Sequence, residues 1–223
     1  MRRDGGEQLA RALQALPIFP LPHTVFFPHT LLPLHVFEPR YRELIEHVLA
    51  SHMHLAVVCQ DPSRVDVAVP GVAQVSGVGR IMHHERLADG RFHLLLQGIA
   101  RVELVEELPL DSLLYRRCAA KLLDAEHEPR EADTDAEVQL LRSCYARLLE
   151  VCPTSKDTLG DLPLRVSQAR VLADVVCAAV LEDVAARQAA LAETSVVRRL
   201  KLASDALATL LLRGLATDSA AMQ

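Results

Sequence analysis

Six of the twelve prolines of this 223-residue chain fall between Leu16 and Arg42, in the stretch LPIFPLPHTVFFPHTLLPLHVFEPRYR, interleaved with large apolar residues. No helix survives that spacing. Pro17, Pro20, Pro22, Pro28 and Pro33 lack an amide donor and push the preceding residue toward extended backbone, so the segment is predicted to run as two or three short strands broken by turns. Proline in a strand belongs at an edge, a start or a bulge. The pattern changes at Pro39. Tyr41, Leu44, Ile45, Val48 and Leu49 share one face while Arg42, Glu43, Glu46 and His47 point elsewhere, which predicts a helix over Glu38 to Ser51 with Pro39 in its first turn.

The rest of the first half predicts more sheet. Residues 5 to 15 read as a short amphipathic helix, and Leu55-Ala-Val-Val-Cys59 as a strand covered on both faces, because its apolar run is unbroken until Asp61-Pro62. Val72 to Leu108 is the strongest sheet signal, with Asp89-Gly90 as a hairpin turn and with Gly77, Gly79 and Gly98 marking bulges or sharp bends. Tyr115 to Leu123 adds a last strand. Closing these strands on one another removes exposed edges, so the expected architecture is a small, mostly antiparallel β-barrel of about six strands with one helix.

Asp124 to Glu137 carries seven acidic residues against Arg130 alone, with Pro129 in the middle. It reads as a connection, giving a barrel subdomain at 1–125 and an α-helical subdomain at 126–223, an α+β chain overall. Thr134 and Glu137 have capping-box spacing, which predicts that a helix opens there and runs to Val151. Three helices follow, about Ser167 to Val180, Asp183 to Ala192 and Ser195 to Leu212, with Thr194 as N-cap of the last and Gly214 as its stop.

Leu16-Pro-Ile-Phe-Pro-Leu21, Val25-Phe-Phe-Pro28, Leu32-Pro-Leu34 and Phe37-Glu-Pro-Arg-Tyr-Arg42, followed by Gly77-Val-Gly-Arg-Ile81 and Gly98-Ile-Ala-Arg-Val102, resemble in order and spacing the Lon substrate-binding domain family. This is the N-terminal domain of the ATP-dependent Lon proteases, and it also occurs as a free-standing bacterial protein. The likeness extends to about Arg213. It departs from the family at His23 and His29, which occupy turn positions where glycine or another small residue is common. The resemblance implies a PUA-like barrel followed by a helical bundle. It also implies a non-catalytic module that binds unfolded or apolar polypeptide segments, with a protease or chaperone as a further class of partner. Nothing in the sequence resembles the phosphate-binding loop Gly-x-x-x-x-Gly-Lys-Ser/Thr of an ATPase. Among the three lysines, Lys121, Lys156 and Lys201, the resemblance places none in a peptidase dyad.

Charge separates this expectation from its rivals. Residues 1–125 hold 13 Lys and Arg against 14 Asp and Glu, and residues 126–223 hold 11 against 15. Neither half has the basic surplus of a nucleic-acid binder, although PUA-like barrels elsewhere bind RNA. No apolar run reaches transmembrane length and no signal sequence opens the chain, so neither nucleic acid nor membrane is expected as a partner and the cytoplasm is the expected location. The five cysteines (Cys59, Cys118, Cys144, Cys152, Cys177) are widely spaced without Cys-x-x-Cys, the pattern of reduced buried thiols. The rival readings are a small-molecule or RNA binder on the same barrel, or a hydrolase without a recognisable motif.

Candidate site residues come from the uncharged stretch itself, since Leu16 to Phe37 contains no Asp, Glu, Lys or Arg. Prolines prevent continuous ladder pairing there, so some of this apolar surface is expected at an edge or groove able to accept an extended chain by strand addition. Phe26, Phe27 and Leu34 are predicted to make apolar contact, and Arg40 to donate hydrogen bonds to peptide carbonyls. Arg42 is a second guanidinium in the same motif, and Phe37 and Tyr41 are expected to plug the barrel while Glu38 pairs with an arginine. Two histidine groups, His47/His52/His54 and His83/His84/His93, are weighed as metal ligands. Adjacent strand residues face opposite ways, so solvated histidines are expected instead, with neither cofactor nor metal. The serines Ser112, Ser143, Ser155 and Ser195 lie in no nucleophile motif, and no catalytic residue is predicted.

Overall fold

The proline-rich stretch resolves into two strands, β1 (Leu16–Leu21) and β2 (Leu31–Val36), joined by a loop and followed by a helix starting at Pro39. The computed structural model describes residues 3–123, 131–151, 160 and 162–221, with backbone alone at 3–5, 131–133, 162 and 214–221. Its contacts divide it into two units, Met1–Leu123 and Asp124–Gln223.

In the first unit, α1 (Arg3–Ala12) precedes β1, and α2 (Pro39–Leu49) follows β2. The remaining strands are β3 (His54–Cys59), β4 (Val75–Arg86), β5 (Phe92–Leu108) and β6 (Arg117–Leu122). Neighbouring strands run β2-β5-β4-β3-β1-β6, and a further β5–β6 pairing closes five of them into a ring with β2 on its outer flank. β1 and β3 pair parallel, and the other pairings are antiparallel. Closure depends on the length of β5. Its first residues, Phe92 to Gln97, hold β2, and Val102 to Leu108 hold β6. All six residues of β3 are buried, as its apolar run predicts.

The strand glycines have a second task besides bending. Register shifts fall between Val78 and Gly79 and between Ile81 and His83, which is the expected bulging. Gly77 and Gly98, however, leave room for the β1–β2 loop to lie directly on the strands. A Cβ at Gly77 would sit 1.9 Å from the Phe26 carbonyl oxygen, and one at Gly98 2.1 Å from that of Phe27. His23 (φ 58°) and His29 (φ 65°) bracket this loop in the left-handed region, the backbone state that explains why glycine or a small residue would serve there.

Two apolar clusters fill the unit. Phe19, Phe26, Tyr41, Leu44, Ile45 and Leu96 pack between α2 and the sheet. Leu16, Ile18, Val58, Val78, Val102 and Leu104 pack beneath Leu9, Ala12 and Leu13 of α1 and its following turn. Pro39 occupies the first turn of α2, where an absent amide costs nothing.

The second unit comprises α3 (Glu131–Val151), α4 (Leu162–Arg165), α5 (Ala169–Val180), α6 (Val184–Ala192) and α7 (Val196–Ala221). Leu141, Tyr145, Leu172, Val176, Leu200 and Leu207 are buried in it. At its centre Arg199 Nε lies 2.9 Å from Asp174 Oδ1 with both side chains fully buried, and Arg199 also donates to the carbonyls of Glu193 and Thr194.

Three helix-end expectations are corrected. Thr134 does not cap α3, which already begins at Glu131 and buries Thr134 inside it. The acidic spacing there belongs to a running helix. Ser195, not Thr194, caps α7, its hydroxyl accepting from the Arg198 amide. Gly214 does not stop that helix, which continues to Ala221, a glycine in a helix interior costing only about 1 kcal/mol. Asp183 caps α6 by accepting from the Ala186 amide. Residues 124–130, assigned above to a connection, lie outside the described residues, as do Cys152 and Ser155.

Candidate functional site

The ring is open where β1 and β6 part. Only Leu16 and Pro17 of β1 pair with β6, and the last link is the Ile18 amide donating to the Arg116 carbonyl at 3.0 Å. Past that point Tyr41, brought by the first turn of α2, and Tyr115, brought by the chain entering β6, line the space together with Ile18 and Pro20. The Tyr41 ring rests on Phe19 at 4.4 Å between centroids. Tyr115 shares a hydrogen bond of 3.0 Å with His47 Nδ1. Burial raises the pKa of both tyrosines, which therefore stay protonated at neutral pH.

Two cavities result, of about 330 Å³ and about 200 Å³, which share Pro20, Arg40, Tyr41 and Gln60 as a common wall. The larger is bounded on its far side by Pro62, Gly71 and Val72 of the loop after β3 and by Leu114. Arg116 fixes that loop. Its guanidinium forks onto Glu107 at 2.5 and 2.7 Å and reaches the Pro70 carbonyl at 2.9 Å, and the Glu107 bond is the main cause of its raised pKa. The smaller cavity is lined by Leu34, His35, Phe37 and Glu38 from the β2–α2 junction. Arg40 stands between the two, 2.8 Å from Glu38 and 4.5 Å above the Tyr41 ring. Phe37 and Leu114 flank the pair, exposed by 60% and 59%.

The sequence-predicted residues divide. Leu34 lines the smaller cavity and Arg40 the shared wall. Phe26 and Phe27 do not belong to any surface, being 3% and 0% exposed because their backbone is pressed onto Gly77 and Gly98. Phe37 is no barrel plug either. It faces solvent, while Tyr41 takes the buried place and Glu38 pairs with Arg40 as expected. Arg42 turns away to the β4–β5 hairpin, where its guanidinium covers Gly90 (φ 82°).

Strand addition also finds little to hold. The Gly98 amide donates to the Thr30 carbonyl, so alternation turns Leu31, Pro33 and His35 toward the free side of β2. Pro33 removes the middle donor of that edge. Sequence reasoning missed Gln60, Leu114, Tyr115 and Arg116. The apolar Leu110, Leu113 and Leu114 in and just after the Pro109-Leu110-Asp111-Ser112 turn were the available signal.

The histidines do not converge, and among the described residues no three His, Cys, Asp or Glu side chains form a group able to hold a metal ion. His54 is buried with Nδ1 unpartnered, and burial lowers its pKa to about 4. His35 and His93 meet across strands at 4.9 Å between rings, on the exposed face. Cys59, Cys118 and Cys177 are buried and not in disulfides, and Cys144 is half-buried. Burial raises Cys118 to about 12, so it is no nucleophile at neutral pH. Among the described residues no helix is long and apolar enough to cross a membrane.

Comparison with known proteins gives a single direction. Residues 15–209 match the family described as the ATP-dependent protease La (LON) substrate-binding domain. Lon protease of Desulfosudis oleivorans is 24% identical over 84% of this chain, and Lon protease 2 of Herpetosiphon aurantiacus 28% identical over 83%. The chain spans about 23% of the length of each. Among solved structures, the N-terminal domain of a Mycobacterium avium complex Lon protease superposes with TM-score 0.67 at 15% identity, covering 87% of this chain and 98% of that one. A Lon N-terminal domain protein from Xanthomonas campestris gives 0.59 at 22% identity, covering 84% and 95%. At those identities the structures establish the fold.

Proposed function

This chain belongs to the Lon substrate-binding domain family, and from that premise we propose that it binds exposed apolar segments of polypeptides without cleaving them. The observation that carries the reading is the double cavity at Arg40, whose walls mix apolar and polar surface, with the exposed side chains of Phe37 and Leu114 on either side. Folded domains hide such side chains, so a groove of this kind suits a chain that is unfolded or extended. The polar groups on its walls are donors and acceptors for a peptide backbone: two tyrosine hydroxyls, the Arg40 guanidinium and the Gln60 amide. A bound client is then held for, or passed to, a protease or chaperone. The free buried thiols suit a reducing compartment such as the cytoplasm.

Photo-crosslinking tests the site. A benzophenone side chain at position 37 or 114 should capture a reduced, carboxymethylated client protein, whereas one at Met82, similarly exposed but lining neither cavity, should not. Equal capture from all three positions sinks the groove as the site.

A further inference from the structure

The two cavities are offset along β1 in a regular way. The larger takes its β1 wall from Ile18 and Pro20, and the smaller from Pro20 and Pro22 together with Phe19 and Leu21. The two share Pro20, and the smaller reaches two residues further along the chain than the larger, about 6.6 to 6.8 Å of extended backbone. That is also the repeat at which an extended peptide presents successive side chains on one face.

The strand edge between them is blank. Ile18 directs its amide toward β6, so alternation directs position 20 the same way, and it is proline; the strand ends one residue later, at Leu21, and the next residue is proline again. A peptide lying over β1 finds no amide donors there and cannot extend the sheet. Its backbone must be met by side chains. Gln60 is placed for this, because it lies on the wall common to both cavities, is exposed, and spends its side-chain amide on no other described residue.

Charge defines the occupant further. Each guanidinium around the groove is already neutralised within the fold: Arg40 by Glu38, Arg116 by Glu107 and Arg117 by Asp111. A charged side chain entering either cavity would lose its hydration and gain no partner.

Resting on the groove being the polypeptide site, we infer that it reads an extended, uncharged segment with bulky apolar side chains at positions i and i+2. One side chain fills each cavity, and the Gln60 amide hydrogen-bonds the main chain between them. The larger cavity takes the aromatic residue of the pair.

The test uses the full chain and fluorescein-labelled decapeptides of Ser, Gly and Gln carrying one Phe and one Leu at spacings of one, two, three or four residues. Anisotropy titrations should show the i, i+2 peptide binding about tenfold more tightly than the others, as the loss of one apolar anchor implies. Replacing either anchor by Asp or Lys should abolish its advantage. Gln60→Ala should weaken the i, i+2 peptide about fivefold, one hydrogen bond's worth, with an unchanged melting temperature because the residue is exposed. Affinity independent of spacing, or greatest at three or four as for a helical ligand, overturns the two-cavity code. The groove reading survives that result if Phe37→Ala still weakens every peptide. Binding that ignores both Gln60→Ala and Phe37→Ala, or no binding by any peptide, removes the code and the groove together.

Discussion

At the residue scale, two buried polar groups set how this fold answers to its surroundings. His54 opens β3 with Nδ1 unpartnered, and its backbone amide donates to His52 Nδ1 at 3.1 Å. Its folded pKa of about 4 lies below the ordinary 6.5. The unfolded chain therefore takes up the proton first as pH falls. Stability from this group is complete above pH 6.5 and is lost progressively toward pH 4, by about 2 kcal/mol at pH 5. His52 is shifted in the same direction by burial and adds to the effect. Urea unfolding at pH 7 and pH 5 should show this loss, and a His54→Leu variant should show a flatter dependence. The second group is the Asp174–Arg199 pair. Asp174→Ala leaves a guanidinium buried without its counter-charge, so chemical denaturation should report about 3 to 5 kcal/mol of lost stability. Neither partner was legible beforehand. A lone Asp in an apolar helix and one Arg in an Arg-Arg pair look like solvated side chains until the fold brings them together.

At the scale of elements, what the sequence announced and what it hid have separate physical causes. The strand and helix of Leu16 to Leu49 were legible because proline acts locally, on its own amide and on the residue before it. The role of Phe26 and Phe27 was not, because exposure depends on what lies opposite, and the partners are glycines some fifty and seventy residues away in the sequence. Gly77, Gly79 and Gly98 signalled bending correctly and close approach only implicitly. Gly77→Ala and Gly98→Ala should each destabilise the first unit by at least about 3 kcal/mol, since the clash is with backbone that cannot rotate away. Gly90→Ala faces only the mobile end of Arg42 and a positive φ, and should cost about 1 kcal/mol. Thermal melts of the three variants give the ranking, and a Gly77→Ala protein as stable as the parent would mean the loop does not lie on β4. The cavity wall formed by Leu114 and Arg116 escaped sequence reading for the same reason as the phenylalanines. It is made by the divergence of β1 from β6, a property of pairing that no window of the sequence contains.

At the scale of the whole molecule, the groove belongs to one unit. Every residue that lines either cavity lies between Ile18 and Arg116, and the strand ring that positions them closes between Leu16 and Leu122. Binding should therefore travel with that unit. A fragment of residues 1–125 should fold, keep the β-sheet signal of the parent in circular dichroism, and bind an apolar peptide within about twofold of the full chain's affinity. Neither the fragment nor the full chain should hydrolyse ATP or degrade casein with ATP and magnesium, since residues 15–209 match a substrate-binding domain and no serine, threonine or cysteine lines the groove. Binding that vanishes in a folded 1–125 fragment would show that residues beyond 125 complete the site. Casein cleavage lost on replacing a single serine or cysteine would convert the binder into an enzyme. The acidic balance of residues 126–223 bears on the remaining rival, because an RNA ligand would need a cationic surface and the arginines around the groove are already paired with carboxylates. Peptide affinity should accordingly change little between 50 and 500 mM salt. A steep fall over that range would instead show that charge pairing carries the affinity, and with it a groove whose arginines are free to act.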